Sequence, residues 1–174
     1  MKKNTEWSDH AGLLRQALSG NGAFLVVPSR KPQANLMTIG WGEIGVVWSR
    51  PVFTVLVRRS RYTYDCLLEA DSFTINVPRN GQLSEALEVC GTKSGRDLDK
   101  ASSCSLDLTE GQKVACPVIE QCALHYECSI IARKQLENED ICSPEITRSY
   151  YAGGDYHMIV IGEILSAYAE EDLD

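Results

Sequence analysis

Apolar positions along this chain follow two periods. Leu13, Leu14, Ala17 and Leu18 have the spacing of one helical face, with Ser8 or Asp9 placed to cap it and Gly20 to stop it. From there β-type patterns dominate. Gly22–Pro28 is an apolar run, and Ser29–Gln33, with Pro32 and two cations, is a turn. Ala34–Trp41 alternates: Leu36, Thr38 and Gly40 point one way, Asn35, Met37, Ile39 and Trp41 the other. Pro51–Val57 is rich in β-branched residues, Ser72–Val77 is a further strand, and Pro117–Arg133 and Tyr156–Ala169 are long strand candidates. Thr63–Ala70 has Tyr64, Leu67 and Leu68 on one helical face, and Leu83–Cys90 is a short helix that Gly91 can end. Gly91–Lys100 is a small, polar, ordered loop, and residues 135–149 carry no clear periodicity.

Six or more strands at short spacing, with two or three short helices, predict a mainly β protein: an antiparallel sheet or barrel, not a parallel βαβ sheet. The 174 residues show no repeat or linker, so residues 1–174 form one domain, large enough to fold without disulfides or metal. The net charge of −7 argues against nucleic acid as a partner. Unbroken apolar stretches reach only about five residues, as in Ala23–Val27, against the ~18 a spanning helix needs, so no membrane partner is expected. Asn4–His10 is mostly polar, which predicts no export signal. Seven cysteines, an odd number without a CxxC pair, predict reduced thiols in a cytoplasmic protein and no metal site. Cys122 and Cys128 share a face if their segment is one strand, and Cys90 lacks the electropositive setting of a redox thiol.

Three segments carry candidate chemistry. Arg58-Arg59-Ser60-Arg61-Tyr62-Thr63 leads into a helix, where free backbone N–H groups, hydroxyls and guanidinium groups suit a phosphate; the same residues also make a cationic surface turn with an ordinary cap. Cys90–Lys100 places Gly, Lys and Ser close together without the GxxxxGK[ST] order, so nucleotide hydrolysis is not supported; it is a close-approach loop or a plain surface loop. In the third, Asn35 and Thr38 are polar groups inside an apolar strand. They are either satisfied interior residues or contacts for a flat, polar-edged ring. GxSxG and HExxH are absent. Of His10, His125 and His157, only His157 starts a strand from which it could face a pocket.

In order along the chain stand Asn35-x-Met37-Thr38-x-x-Trp41, Arg58-x-Ser60-Arg61-Tyr62-Thr63 and Cys90-Gly91-Thr92-x-Ser94-Gly95-Arg96-Asp97-x-Asp99-Lys100. Gly154-Asp155-Tyr156-His157 and Gly162-Glu163-Ile164 follow. Together they resemble the flavin reductase-like family, in particular its flavoredoxin-like branch, from about Gly22 to Tyr168. The resemblance implies an FMN-binding split β-barrel, a homodimer with FMN near the subunit interface. It implies that Asn35, Leu36, Met37 and Thr38 line the isoalloxazine ring with Trp41 nearby, and that Arg58, Ser60, Arg61 and Thr63 hold the phosphate and ribityl end. It implies that Ser94, Gly95 and Lys100 close the site, with His157 and, more remotely, Tyr151 beside it. Lys100 is expected to stabilise the anionic reduced ring if it reaches the N1–C2 carbonyl edge.

The function implied is an FMN-dependent oxidoreductase that takes hydride from NADH or NADPH and serves a flavin, metal complex or protein acceptor. No protein acid or base is required, so no catalytic residue is named. The rival readings are an electron-transfer flavoprotein reduced by a partner protein and a non-redox ligand-binding barrel. Trp41, Trp48 and Phe53 could supply an apolar dimer patch or belong to the core. Position 59 is arginine where relatives often carry proline, and residues 135–149 match little.

Overall fold

The computed structural model describes residues 2–173. Ten strands, β1 (Lys2–Asn4), β2 (Ala23–Val27), β3 (Asn35–Ile39), β4 (Gly42–Val47), β5 (Arg50–Arg58), β6 (Ser72–Val77), β7 (Leu108–Thr109), β8 (Val118–Ile119), β9 (Leu124–Gln135) and β10 (His157–Glu170), alternate with short helices. The helices are α1 (Ala11–Ser19), α2 (Tyr62–Glu69), α3 (Ser84–Thr92), α4 (Lys100–Ser103) and α5 (Pro144–Tyr150), with a 3-10 turn at Asn138–Asp140. Eight strands form one antiparallel sheet in the order β3-β2-β6-β9-β10-β5-β4, with β1 added on β10; β7 and β8 pair separately. No ladder joins β3 to β4 among the described residues, so the sheet is not closed.

The two long strands hold the sheet together. β10 pairs β9 along its length, β5 over His157–Glu163 and β1 over Tyr168–Glu170. Its register slips twice, at Ile161/Gly162 and Ile164/Ser166, and such bulges bend a strand. Gly162 permits this: a Cβ there would lie 2.6 Å from the Phe73 ring. The curled sheet encloses Leu25, Val27, Met37, Phe53, Phe73, Ile75, Tyr126 and Met158. A second apolar layer, with Phe24, Val26, Leu36, Leu87, Cys90 and Ile119, lies where α3 and α4 cover β2 and β3. β2 is therefore buried on both faces, which is why Ala23–Val27 is a continuous apolar run without alternation.

Several sequence expectations need correction. β4 was not foreseen, because the β4–β5 hairpin turns through Trp48 and Ser49, both at positive φ (51° and 58°), without the Asn-Gly or Asp-Gly that marks such turns. Helix α3 does not stop at Gly91. It runs to Thr92 with Lys93 as its C-cap, so Gly91 lies within the last turn, over Thr38. The expected strand Pro117–Arg133 is broken after Ile119 by a turn at Glu120 and Gln121, whose polar side chains leave the sheet. Cys122 thus sits in the outer layer and Cys128 in the central core, not on one face of one strand, though both are fully buried. Neither Ser8 nor Asp9 caps α1: the N-cap is His10, and Asp9 accepts instead from the Thr5 hydroxyl and the Glu6 N–H. Residues 135–149 contain the 3-10 turn and α5, which Ser143 caps and Pro144 starts. Phe53 is core, 5.6 Å from the Tyr126 ring, and leaves the proposed apolar patch; Trp41 and Trp48 stay exposed at 42% and 66%.

Candidate functional site

The ends of β3, β5 and β10 meet at a cavity of ≈ 240 Å³ lined by Met37, Thr38, Trp41, Arg58, Arg61 and His157, with Leu56 and Tyr150 beside them. Each arrives there for a local reason. Arg58 closes β5 opposite His157, the first residue of β10, in register. Arg61 is the N-cap of α2, and its Nη1 donates to the Gly91 carbonyl at 2.9 Å, tying α2 to α3. Trp41 follows β3, its ring edge-on to Tyr150 at 4.9 Å and 5.1 Å from His157.

A smaller cavity of ≈ 120 Å³ borders the other half of β3, at Asn35, Leu36, Gly95 and Lys100. Lys31 roofs it: its Nζ donates to the Gly95 and Arg96 carbonyls at 2.7 and 2.6 Å. Asn35 Nδ2 donates to the Thr63 hydroxyl at 2.7 Å, while Asn35 Oδ1 is buried with no partner. Gly95 makes room for that oxygen, since a Cβ there would lie 2.1 Å from it.

Ten of the thirteen expected residues thus line one of these two cavities, and three line neither. Thr63 is spent on Asn35. The Ser94 hydroxyl accepts from the Arg96 N–H at 3.1 Å and stabilises its own loop. Ser60 faces Asp155, whose carboxylate accepts from the Ser60 N–H at 3.2 Å and the Ser60 hydroxyl at 2.7 Å. Lys100 is not extended into the larger cavity. Its Nζ donates to the Leu36 and Cys90 carbonyls at 2.7 and 2.9 Å, and burial lowers its pKa. Burial also pushes the Cys90 thiol up to about 12, so it is no thiolate at neutral pH, in line with the inert role expected for it.

The charges around the larger cavity are unequal. Arg58 donates to the Asp155 and Tyr150 carbonyls, both at 2.9 Å, and stands 3.8 Å from the Asp155 carboxylate. His157 is buried, its Nδ1 2.8 Å from the Tyr151 hydroxyl. Burial, helped by Arg58, pushes its pKa down to about 4, so the ring is neutral at pH 7. The hydrogen bond shared with Tyr151 fixes the orientation of the ring. Sequence reasoning missed Tyr150, because its segment has no periodicity, and Lys31, which is one of two cations in an otherwise ordinary turn. A larger groove of ≈ 570 Å³ lies between the turn at Ser29 and α2. Its charged groups are already paired, Arg30 with Glu69 and Asp65 with Arg96, so it offers little unmet polar capacity.

A sequence profile of the flavin reductase like domain matches residues 18–174. The chain belongs to this family. Among solved structures, this flavin reductase-like chain is similar to flavoredoxin from Methanosarcina acetivorans, 29% identical, with TM-score 0.65 over 86% of this chain and 68% of that one. It also matches an FMN-binding domain of a flavin reductases-like enzyme from Shewanella baltica OS155, at 20% identity and TM-score 0.66 over 97% of this chain and 77% of that one. A protein with a split barrel domain from Shewanella frigidimarina NCIMB 400 aligns at 18% identity and TM-score 0.67, over 97% of this chain and 76% of that one. The fold is thus the split β-barrel expected from the sequence, with the barrel left open between β3 and β4. No helix among the described residues is long and apolar enough to cross a membrane.

Proposed function

We propose that this flavin reductase-like chain is an FMN-binding oxidoreductase that takes electrons from NADH or NADPH and passes them to a flavin, a metal complex or a protein. One observation carries the reading. A turn already holding an anion, Asp155 on Ser60 beside Arg58, adjoins a cavity walled by Trp41, Met37 and His157. A carboxylate accepting from Ser60 N–H and Oγ stands in for two phosphate oxygens, so the donor set fits a phosphate. The buried, unpartnered Asn35 Oδ1 fits a ring that brings its own N–H donor.

On this reading Ser60, Arg58 and Arg61 hold the phosphate end. Met37, Thr38, Trp41 and His157 line the ring, and Asn35, Leu36, Gly95 and Lys100 form the wall behind it. Thr63 and Ser94 act through Asn35 and through the loop. Bound FMN supplies the redox chemistry, accepting hydride and returning electrons. The chain's part is to bind, orient and shield. Neutral His157, fixed by Tyr151, presents no third positive charge beside Arg58 and Arg61. Lys100, locked onto two carbonyls, sets a positive charge behind β3. A homodimer fits the exposed Val46 and Trp48 at the hairpin tip, two apolar side chains that no described residue covers. The seven unpaired thiols suit a reducing cytoplasm.

The second reading is an electron carrier reduced by a partner protein. The net charge of −7 favours it, because an acidic surface steers a basic redox partner. The visible spectrum of desalted protein, before and after anaerobic NADH or NADPH, separates the readings. Oxidised-flavin bands that bleach are expected for the reductase. Bands that persist move the weight to the carrier. No flavin, even after incubation with FMN, sinks both and leaves a non-redox ligand-binding barrel.

A further inference from the structure

The anion on the Ser60 turn belongs to the chain itself, and it is held loosely enough to leave. Asp155 has two hydrogen bonds, both from Ser60, and its side chain is 31% exposed. Ahead of it, Ala152, Gly153 and Gly154 are exposed; Gly154 sits at φ +74°, and added Cβ atoms at either glycine would meet nothing within 4 Å. The ends of the segment do not share this freedom. Tyr151 and Tyr156 are buried and stack at 4.7 Å, and Arg58 grips the Tyr150 and Asp155 carbonyls. The backbone is therefore anchored at both ends while the carboxylate alone can rotate away without unpacking the core. α2 starts two residues after Ser60 with no side-chain cap, and the one acid of its first turn, Asp65, is engaged by Arg96.

A phosphate and the Asp155 carboxylate compete for the same N–H and hydroxyl, and two anions at hydrogen-bond distance from the same donors repel. We propose that Asp155 is a built-in competitor for the flavin phosphate, which keeps FMN exchangeable instead of permanently held. This rests on the FMN reading above. Its consequence is selective. A flavin with a phosphate must displace Asp155, whereas riboflavin, without one, leaves it in place. Neutralising Asp155 strengthens the hold on FMN and leaves riboflavin unaffected.

The test titrates flavin-free wild type, Asp155→Asn and Asp155→Ala with FMN and with riboflavin, following flavin fluorescence. In parallel, inorganic phosphate is added and Tm recorded. Asn keeps the shape and an acceptor for the Ser60 N–H, so that variant separates charge from folding. Expected is an FMN Kd roughly tenfold lower in both variants, a riboflavin Kd within about twofold of wild type, and a larger phosphate-induced rise in Tm in the variants. An FMN Kd that is unchanged or raised overturns the proposal and makes Asp155 a brace for Ser60. Equal tightening of both flavins overturns it too, because the charge is then not the cause. Should no flavin bind any of the three proteins, the FMN reading fails and the phosphate arm decides alone. Stabilisation confined to the variants keeps the competitor, and equal shifts in all three remove it.

Discussion

Glu127 and Asp155 are both carboxylates that accept backbone N–H bonds, and they differ in almost everything else. Glu127 is fully buried and accepts four bonds: from the Gln112, Lys113 and Val114 N–H groups at 2.7, 2.6 and 3.1 Å and from the Tyr168 hydroxyl at 2.9 Å. Every donor is internal, and the loop from Gly111 to Val114 is wrapped around it. Asp155 is partly exposed, with two donors from one residue and a guanidinium at 3.8 Å. The lesson is about capacity. A polar cluster whose hydrogen bonds close on themselves holds the fold, while one left half-filled beside a cavity is available to a ligand. The same contrast separates Asn76, whose amide is fully engaged with Thr74, Ile119 and His125, from Asn35, whose carbonyl oxygen is left without a partner.

The comparison can be broken at several points. The largest effect is expected from Glu127→Ala, which orphans three backbone donors and a tyrosine hydroxyl. A loss of roughly 3–5 kcal/mol is expected, read from the urea midpoint. A loss below about 1 kcal/mol would show that the loop finds other partners.

Next comes pH. The His157 pKa falls from an ordinary 6.5 in the unfolded chain to about 4 in the fold, through burial. Between those values the unfolded chain binds more protons, so stability is complete above pH 6.5 and is lost as pH falls toward 4, by up to about 3 kcal/mol. His125, held down to about 3 by burial, adds a slope of the same sign. The informative quantity is therefore the difference between wild type and His157→Gln across pH 4–7; parallel curves would count against a buried, neutral His157.

Gly95→Ala sharpens the contrast at the open cluster. Its Cβ must displace Asn35 Oδ1 or push on Tyr62 Cδ1, which a Cβ would meet at 3.0 Å. A cost of about 1–3 kcal/mol is expected, together with weaker FMN binding. Unchanged FMN affinity would remove Asn35 from the ring wall. The smallest effect belongs to Trp48→Ser. At an exposed hairpin tip it should change monomer stability by no more than about 0.5 kcal/mol. Sedimentation reads the interesting part: a shift toward monomer supports the tip as a subunit contact, and no shift places the contact elsewhere.

The elements legible in the sequence were those whose hydrophobic period matches one uniform environment. β2, β5, β6 and β10 appeared within a residue or two, as did α2. Those that failed did so for stated reasons. β4 ends in a turn built from Trp48 and Ser49, residues that do not advertise positive φ. The Pro117–Arg133 run changes sheet in the middle because Glu120 and Gln121 bond outside it, and an apolar pattern does not record which sheet it serves. In the site, residue types were legible, but which of them bond to one another was not. Thr63 and Asn35 were both marked as ligand contacts, yet their nearest partner is each other.

The sequence by itself determined the class of structure and the chemistry on offer. Period-two segments at short spacing specify antiparallel β architecture, and an ordered set of small, cationic and hydroxyl residues offers groups suited to an anion, because both are local properties of the chain. Tertiary structure alone decided which of those groups are free. Lys100 turns inward onto carbonyls of β3 and α3, Phe53 enters the core, and Asp155 crosses 95 residues of chain to reach Ser60. Hydrogen-bonding capacity is consumed by whatever lies nearest in space, and only the folded sheet, with its bulged β10 and its open edge between β3 and β4, sets those distances.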